Sequence, residues 1–116
     1  MLTISNKTLD KDNLAILYLD GHIETNSYLD FENELNNILE KGYSHIILNC
    51  RDLQYINSAG LGVIMGLIEE VREKDGDIKL CAMNKNVFKI FDLVGFNQLF
   101  EIYEKEEEAL NAFTQR

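Results

Sequence analysis

The least ordinary local chemistry in this sequence lies in the run Tyr55-Ile56-Asn57-Ser58-Ala59-Gly60-Leu61-Gly62. Ser58 stands where a helix is predicted to begin, and a seryl hydroxyl at that position can accept hydrogen bonds from free backbone N–H groups. We therefore predict Ser58 as the helix N-cap, with a role in binding as the alternative. The junction of a strand and a helix in an α/β sheet is a common place for ligands and partners to dock.

Three glycines lie near the start of the same predicted helix: Gly60, Gly62 and Gly66. Each costs roughly 1 kcal/mol relative to alanine inside a helix, so an offsetting gain is expected. One explanation is tight packing of the helix on the sheet. The other is a flat docking strip beside Ser58, because Gly62 and Gly66 are four residues apart and share a helix face. Val63 and Leu67 would flank this strip as apolar residues outside the core stripe.

No arrangement of residues in the sequence indicates catalysis, and we predict a protein that is not an enzyme. The run Asn57-Ser58-Ala59-Gly60 does not match the G-x-S-x-G nucleophile elbow. Gly60-Leu61-Gly62 lacks the third glycine of a dinucleotide-binding loop. The other candidate ligands are isolated from one another: His22, His45, Cys50 and Cys81. We therefore expect no metal and no cofactor, and two reduced cysteines in the core.

The composition indicates an ordinary globular chain with an acidic surface. The 116 residues suit one domain covering residues 1–116, and 46% of them are hydrophobic. With 11 basic and 20 acidic residues the formal net charge is −9, which disfavours nucleic acid and membrane surfaces as partners. The first residues lack the basic segment and apolar run of a signal peptide, and we predict a cytoplasmic protein.

The hydrophobic periodicity changes repeatedly along the chain, as in a mixed α/β fold. Strand-like runs are predicted at residues 2–8, 14–20, 45–50, 78–83 and 99–103. Helices are predicted at residues 27–41, 59–74, 87–94 and 104–113, and the last one docks through Ala109, Leu110 and Phe113. The predicted fold class is α/β with a mixed, mostly parallel sheet, packed helices and the order β-β-α-β-α-β-α-β-α.

Local signals set the predicted ends of these elements. Gly21 is expected to end the second strand, and residues 51–57 are expected to form a loop. Ser27, with Asp30 three residues later, resembles a capping box at the start of the first helix. Gly42 stands where that helix should end.

The run Ile56-Asn57-Ser58-Ala59-Gly60-Leu61-Gly62, after a buried strand and the segment Arg51-Asp52-Leu53, resembles the signature of STAS domains. In particular, the chain is similar to the single-domain anti-sigma factor antagonists of that family. The likeness extends over the amino-terminal hairpin, Gly21, the order of elements and the segment Val94-Gly95-Phe96. Asn57 and Asn49 depart from the family pattern, because an acidic residue is common at both positions.

The resemblance implies a partner switch. In this family the unphosphorylated antagonist binds an anti-sigma factor that is also a serine kinase, and binding frees the sigma factor. The kinase then phosphorylates the serine that matches Ser58, and a serine phosphatase restores the hydroxyl. A phosphoryl group adds about −1.5 to −2 charges, which a partner packed against Ser58 would not tolerate.

The predicted partner-binding residues lie in two segments. The first surrounds the phosphorylation site Ser58: Asn57, Ala59, Gly60, Gly62, Val63 and Gly66. The second is expected to lie next to it in the folded chain: Gly21, His22 and Thr25.

Two other functions remain as alternatives at this point. An accessory STAS subunit of a transporter or signalling assembly would bind its partner constitutively, with Ser58 acting only as a helix cap. A small-nucleotide binder would use residues 57–62, although the acidic chain offers no obvious basic clamp for phosphate.

Overall fold

The helices and strands follow the predicted alternation, with two short additions. The computed structural model describes residues 1–114. The strands are β1 (Leu2–Leu9), β2 (Leu14–Ile23), β3 (His45–Ile56), β4 (Asp77–Cys81) and β5 (Ile102–Tyr103). The helices are α1 (Tyr28–Glu40), α2 (Ser58–Glu73), α3 (Lys85–Leu93), α4 (Phe96–Leu99) and α5 (Glu106–Thr114). The additions are the single turn of α4 and a 3₁₀ turn at Asp10–Asp12.

The strands form one five-stranded sheet in the order β1-β2-β3-β4-β5. The hairpin of β1 and β2 is antiparallel, and the remaining neighbours are parallel. This confirms the predicted α/β class and the mixed, mostly parallel sheet. β2 and β3 lie inside the sheet, which explains why their sequences are apolar on both faces.

Helices cover both faces of the sheet. α1, α2 and α3 pack over the larger core, which includes Ile46 and Leu48 of β3. α5 covers the other face, where Ala109 and Phe113 pack against Ile47. In β3, Ile47 lies between Ile46 and Leu48. Successive side chains of a strand point to opposite faces, so β3 contributes to both cores. The predicted docking of the terminal helix is confirmed for Ala109 and Phe113, which are buried, and for Leu110, which packs against the same core.

Gly21 does not end β2, contrary to expectation, but lies within it. Its φ of +112° suits glycine, and a Cβ atom there would lie 2.1 Å from the carbonyl oxygen of Met1. The amide of His22 donates to that same oxygen over 3.0 Å. The glycine therefore permits a close approach between β2 and the first residues of the chain, at a register shift between Gly21 and His22.

The predicted loop at residues 51–57 is mostly strand, because β3 continues to Ile56. Asp52 pairs with Asp20, and Ile56 pairs with Ile23, along the extended end of β2. The polar side chains of this stretch are exposed, which gave it the appearance of a loop in the sequence. The longer strand carries the chain directly to the start of α2.

The predicted capping box at Ser27 is wrong. The Ser27 hydroxyl faces back into the β2–α1 connection, where it donates to the His22 carbonyl over 2.7 Å and accepts from the Glu24 amide over 3.0 Å. The predicted end of α1 at Gly42 is confirmed, since Gly42 follows the helix with a φ of +96°. The amide of Tyr43 bonds to the Ile38 carbonyl, as in a Schellman ending.

The last strand is shorter than the predicted stretch at residues 99–103. The chain first makes the single turn of α4, which the amide of Phe100 closes on the carbonyl of Phe96. Phe96 and Phe100 are buried and pack against each other with tilted rings whose centroids are 5.1 Å apart. Phe96 and Phe100 therefore reach the core from a helical turn and not from a strand of the sheet.

Candidate functional site

Asn57, and not Ser58, caps the amino-terminal end of α2. The Asn57 side-chain oxygen accepts hydrogen bonds from the amides of Ala59, at 3.1 Å, and Gly60, at 3.2 Å. Asn57 has extended backbone, and Ser58 is the first helical residue. The prediction of Ser58 as N-cap is therefore wrong by one residue, since asparagine is an equally good cap.

Asn57 also joins α2 to the connection that follows β2. Its amide N–H donates to the Ile23 carbonyl over 3.0 Å, and its side-chain nitrogen donates to the Thr25 hydroxyl over 3.4 Å. Thr25 is exposed and lies beside the start of α2 as a result. The predicted proximity of Thr25 to the motif is thus present in the structure.

We expect Asn57→Ala to lower the free energy of unfolding by about 1 kcal/mol, because it removes the acceptor of two first-turn amides. Ser58→Ala is the matched control, and a change below about 0.5 kcal/mol is expected because no cap is lost. Urea denaturation of both variants measures the difference. Equal losses, or a larger loss for Ser58→Ala, would contradict the assignment of the cap.

Ser58 lies exposed at the first position of α2. A cap at Ser58 would accept from the amides of Gly60 and Leu61, but these already donate to the side-chain and backbone oxygens of Asn57. In the described first turn of α2 there is no acidic residue to repel an added negative charge. The positive end of the helix dipole favours such a charge at this point.

The glycines of α2 divide into two groups. A Cβ atom on Gly60 would lie 2.5 Å from Ile23 Cγ2 and 2.7 Å from Ile56 Cγ1, so this glycine permits close packing of α2 on the sheet. A Cβ atom on Gly62 or Gly66 would meet nothing within 4 Å. Tight packing therefore explains Gly60 alone, and the other two glycines leave the outer surface of α2 flat.

Val63 does not flank a docking strip, as the sequence suggested, because it is only 4% exposed and belongs to the core. Leu67 is partly buried against the same core. The residue that stands out instead is Met65, which is 44% exposed and lies seven residues after Ser58 on the same helix face. We call Ser58, Gly62, Met65 and Gly66 the exposed strip of α2.

Met65 and Tyr55, which were not among the predicted binding residues, are large apolar side chains that are each 44% exposed. Helical spacing from Ser58 could have identified Met65, since the buried stripe of α2 lies on the other side. Tyr55 directly precedes buried Ile56 and therefore points to the opposite side of β3.

Gly21 and His22, which are predicted to lie next to the motif, pair with Leu53 and Tyr55 near the end of β3. Gly21 serves the close approach to Met1. The His22 ring lies edge-on to Tyr55, with centroids 6.4 Å apart, and its Nε2 is 3.4 Å from the side-chain oxygen of Gln54. Ile23 is the residue of this segment that faces Gly60. Strand alternation therefore places His22 and Tyr55 together on the other side of the sheet.

The side-chain amide of Asn49 both donates and accepts hydrogen bonds, which explains why an asparagine stands at this position. It is buried in β3, where its nitrogen donates to Glu106 Oε1 over 3.0 Å and its oxygen accepts from the Arg51 amide over 3.0 Å. An aspartate could not donate to Glu106. Burial, with Glu106 nearby, also raises the pKa of Tyr18 to about 12. Asn49 and Glu106 thus fasten α5 to the sheet.

The cysteines are free and buried, as predicted. Burial raises the pKa of Cys50 well above its usual range, and burial together with the charge of Glu106 raises the pKa of Cys81 to about 12. Both side chains are therefore thiols at neutral pH and serve as small core residues.

Residues 1–114 contain no group of three or more His, Cys, Asp or Glu side chains placed to hold a metal ion. Nor does that part of the chain hold a helix of the length and apolarity that crossing a bilayer requires.

Comparison with known proteins identifies relatives over nearly the whole chain. The family model described as the STAS domain matches residues 6–109. BtrV from Bordetella bronchiseptica, named as a candidate anti-sigma factor antagonist, is 32% identical over 107 residues. The aligned part covers 91% of this chain and 92% of BtrV.

Solved structures share the fold. A candidate anti-sigma factor antagonist from Thermotoga maritima superimposes with a TM-score of 0.88 at 24% identity, covering 97% of this chain and 95% of that one. The anti-sigma factor antagonist SpoIIAA in its unphosphorylated form superimposes with a TM-score of 0.84 at 19% identity, covering 98% of both chains. SpoIIAA of Bacillus in its phosphorylated form gives a TM-score of 0.73 at 19% identity, with 95% of this chain and 98% of that one covered.

Proposed function

This chain belongs to the STAS domain family, and we propose that it is an anti-sigma factor antagonist whose binding is switched off by phosphorylation of Ser58. Its partner is an anti-sigma factor with serine kinase activity, and a serine phosphatase reverses the modification. The protein is a binding module and a substrate of these enzymes, without catalytic activity of its own. The proposal includes a cytoplasmic location, where buried free thiols such as Cys50 and Cys81 remain reduced.

The observation that carries this proposal is the position of Ser58. It is exposed at the start of α2, while Asn57 performs the capping that would otherwise be the simplest role of a serine there. Its hydroxyl is therefore open to a kinase and to a bound partner. The names of BtrV and SpoIIAA support the choice of an anti-sigma factor as that partner.

The chemistry of the switch is a phosphoryl transfer from ATP bound by the partner kinase. The Ser58 oxygen forms a bond to the γ-phosphorus while the bond to the departing ADP breaks, and the hydroxyl proton is released. Hydrolysis by the phosphatase returns the hydroxyl and inorganic phosphate. SpoIIAA is known in an unphosphorylated and a phosphorylated form, which supports this step for a protein of the same fold.

The physical effect of the phosphoryl group falls on the interface and not on the fold. It adds about −1.5 to −2 charges at a helix start, where the positive end of the helix dipole favours an anion. Gly62 and Gly66 continue the surface beyond Ser58 without side chains, so a partner can approach the backbone of α2 closely. A surface packed that closely has no room for a phosphoryl group or its hydration shell.

We expect Ser58→Asp to lose its partner while Ser58→Ala retains it. Both variants, with an affinity tag, serve as baits in a lysate of the source cell, and mass spectrometry identifies the bound proteins. A protein with a serine kinase domain of the anti-sigma type is expected with Ser58→Ala. Its recovery with Ser58→Asp should fall below about a tenth, because the new carboxylate lies in the contact.

Asn111→Asp is the matched control, since it adds the same charge at an exposed site on α5, across the sheet from α2. It should retain the partner, and the free energies of unfolding of the three baits should differ by less than about 1 kcal/mol. Incubating the wild type with the captured kinase and ATP should add one phosphoryl group, at Ser58. Equal recovery with Ser58→Ala and Ser58→Asp would reject the switch and favour a constitutive accessory subunit.

A further inference from the structure

A second surface feature lies away from the Ser58 site. A groove of about 1120 Å³ runs between α3 and the start of α5, beside the carboxyl ends of β4 and β5. Asn49 and Arg51 of β3 form part of its wall, and no residue of the exposed strip of α2 lines it. The carboxyl ends of parallel strands are a frequent place for small ligands, and the volume suits a molecule of that class.

The groove concentrates positive charge in an acidic protein. Four of the chain's 11 lysine and arginine residues line it, although the net charge is −9: Arg51, Lys85, Lys89 and Lys105. The ion pairs found within residues 1–114 use other cations, so these four side chains have no carboxylate partner there. They are therefore available to an anion that enters the groove.

Three acidic residues also line the groove, one fewer than the cations, and none of them forms an ion pair with those cations within residues 1–114. Glu106 is engaged by the amide nitrogen of Asn49 at 3.0 Å. Asp92 and Glu104 are exposed to solvent, and neither forms an ion pair within the described part of the chain. The residues that line the groove therefore carry four positive and three negative charges, an excess of one positive charge.

The groove also has an apolar wall. Phe88 of α3 is 42% exposed and lines it together with Tyr103. The Tyr103 hydroxyl donates its proton to Glu101, so that proton is not available to a ligand. An exposed phenylalanine next to unpaired cations indicates a ligand that has both an apolar and an anionic part.

We propose that this groove binds a small organic anion that carries an oxyanion group on an apolar ring. The oxyanion lies among Lys85, Lys89 and Arg51, and the ring lies against Phe88 and Tyr103. This site is independent of the proposed partner switch, because it uses no residue of the Ser58 surface. Its failure or success is therefore measured separately from partner binding.

Anilinonaphthalene sulfonate is a suitable probe, because it joins a sulfonate to aromatic rings and becomes fluorescent when bound. Titration of the full chain should show saturable binding to one site. The double variant Lys85→Gln/Lys89→Gln should bind it about tenfold more weakly, because two charge-assisted contacts are lost. The uncharged N-phenylnaphthylamine should bind both proteins with affinities that differ less than about twofold, since it has no anionic group.

Lys7→Gln/Lys41→Gln is the matched control, because it removes the same charge at exposed positions outside the groove. It should leave the sulfonate affinity unchanged, and circular dichroism should show the same fold for all variants. Amide chemical shifts should move at Phe88 and Tyr103 and not at Ser58. No saturable binding, an equal loss in the control, or shifts centred elsewhere would each overturn the proposal.

Discussion

Gly60→Val is expected to lower the free energy of unfolding by about 3 kcal/mol, because it overpacks the contact between α2 and the sheet. Even the first added atom would lie 2.5 Å from Ile23 Cγ2 and 2.7 Å from Ile56 Cγ1, closer than carbon atoms can approach. Ile23 and Ile56 are buried and β-branched, so their side chains cannot turn away without cost. The start of α2 would have to move outwards.

Gly62→Val is the matched control for this prediction, since it places the same side chain two residues later in the same helix. Nothing lies within 4 Å of a Cβ atom there, and valine has the better helix propensity. We expect its stability to match the wild type or exceed it by about 0.5 kcal/mol. Urea denaturation and thermal melting test both variants, and the melting temperature of Gly60→Val should fall by roughly 15 °C. Equal stability of the two variants would refute the packing described for Gly60.

The architecture could be predicted from the sequence because its signals are local and redundant. Apolar runs of strand length alternate with helical periodicity, and helix crossovers require parallel neighbours. The end of β3 could not be predicted in this way. Arg51, Asp52 and Gln54 are polar and exposed, and they become strand residues only because β2 extends far enough to pair with them. Pairing partners of this kind depend on tertiary register, which periodicity does not contain.

The sequence predicts where the candidate site lies, but not which residue caps α2 or which residues of α2 face outwards. Asn57 and Ser58 are both good capping residues, and their order in the helix depends on the bond from Asn57 to the Ile23 carbonyl. A single apolar stripe on α2 would place Val63 on the outer surface. α2 packs against α1 as well as the sheet, so a wider arc of the helix is buried. Gly62, Met65 and Gly66 lie outside that arc and are exposed.

A bulky side chain in the exposed strip of α2 is expected to raise the stability of the protein and to weaken the binding of its partner. Gly62→Leu is expected to raise the free energy of unfolding by about 0.8 kcal/mol, the difference in helix propensity between glycine and leucine. It places a bulky side chain one turn after Ser58, on the face that the proposed partner contacts. We expect the affinity for the partner to fall by about a hundredfold, the effect of roughly 3 kcal/mol of overpacking in a close interface.

The partner captured with the Ser58→Ala bait provides the measurement, by calorimetric titration against wild type, Gly62→Leu and Asn111→Leu. The last variant adds the same side chain at an exposed site on α5, across the sheet, and should bind as the wild type does. A gain in stability together with a loss of binding in Gly62→Leu alone would mean that the glycine is retained for contact at the expense of helix stability. Unchanged binding would place the partner elsewhere, and Gly62 would then be a helix defect without a function in recognition.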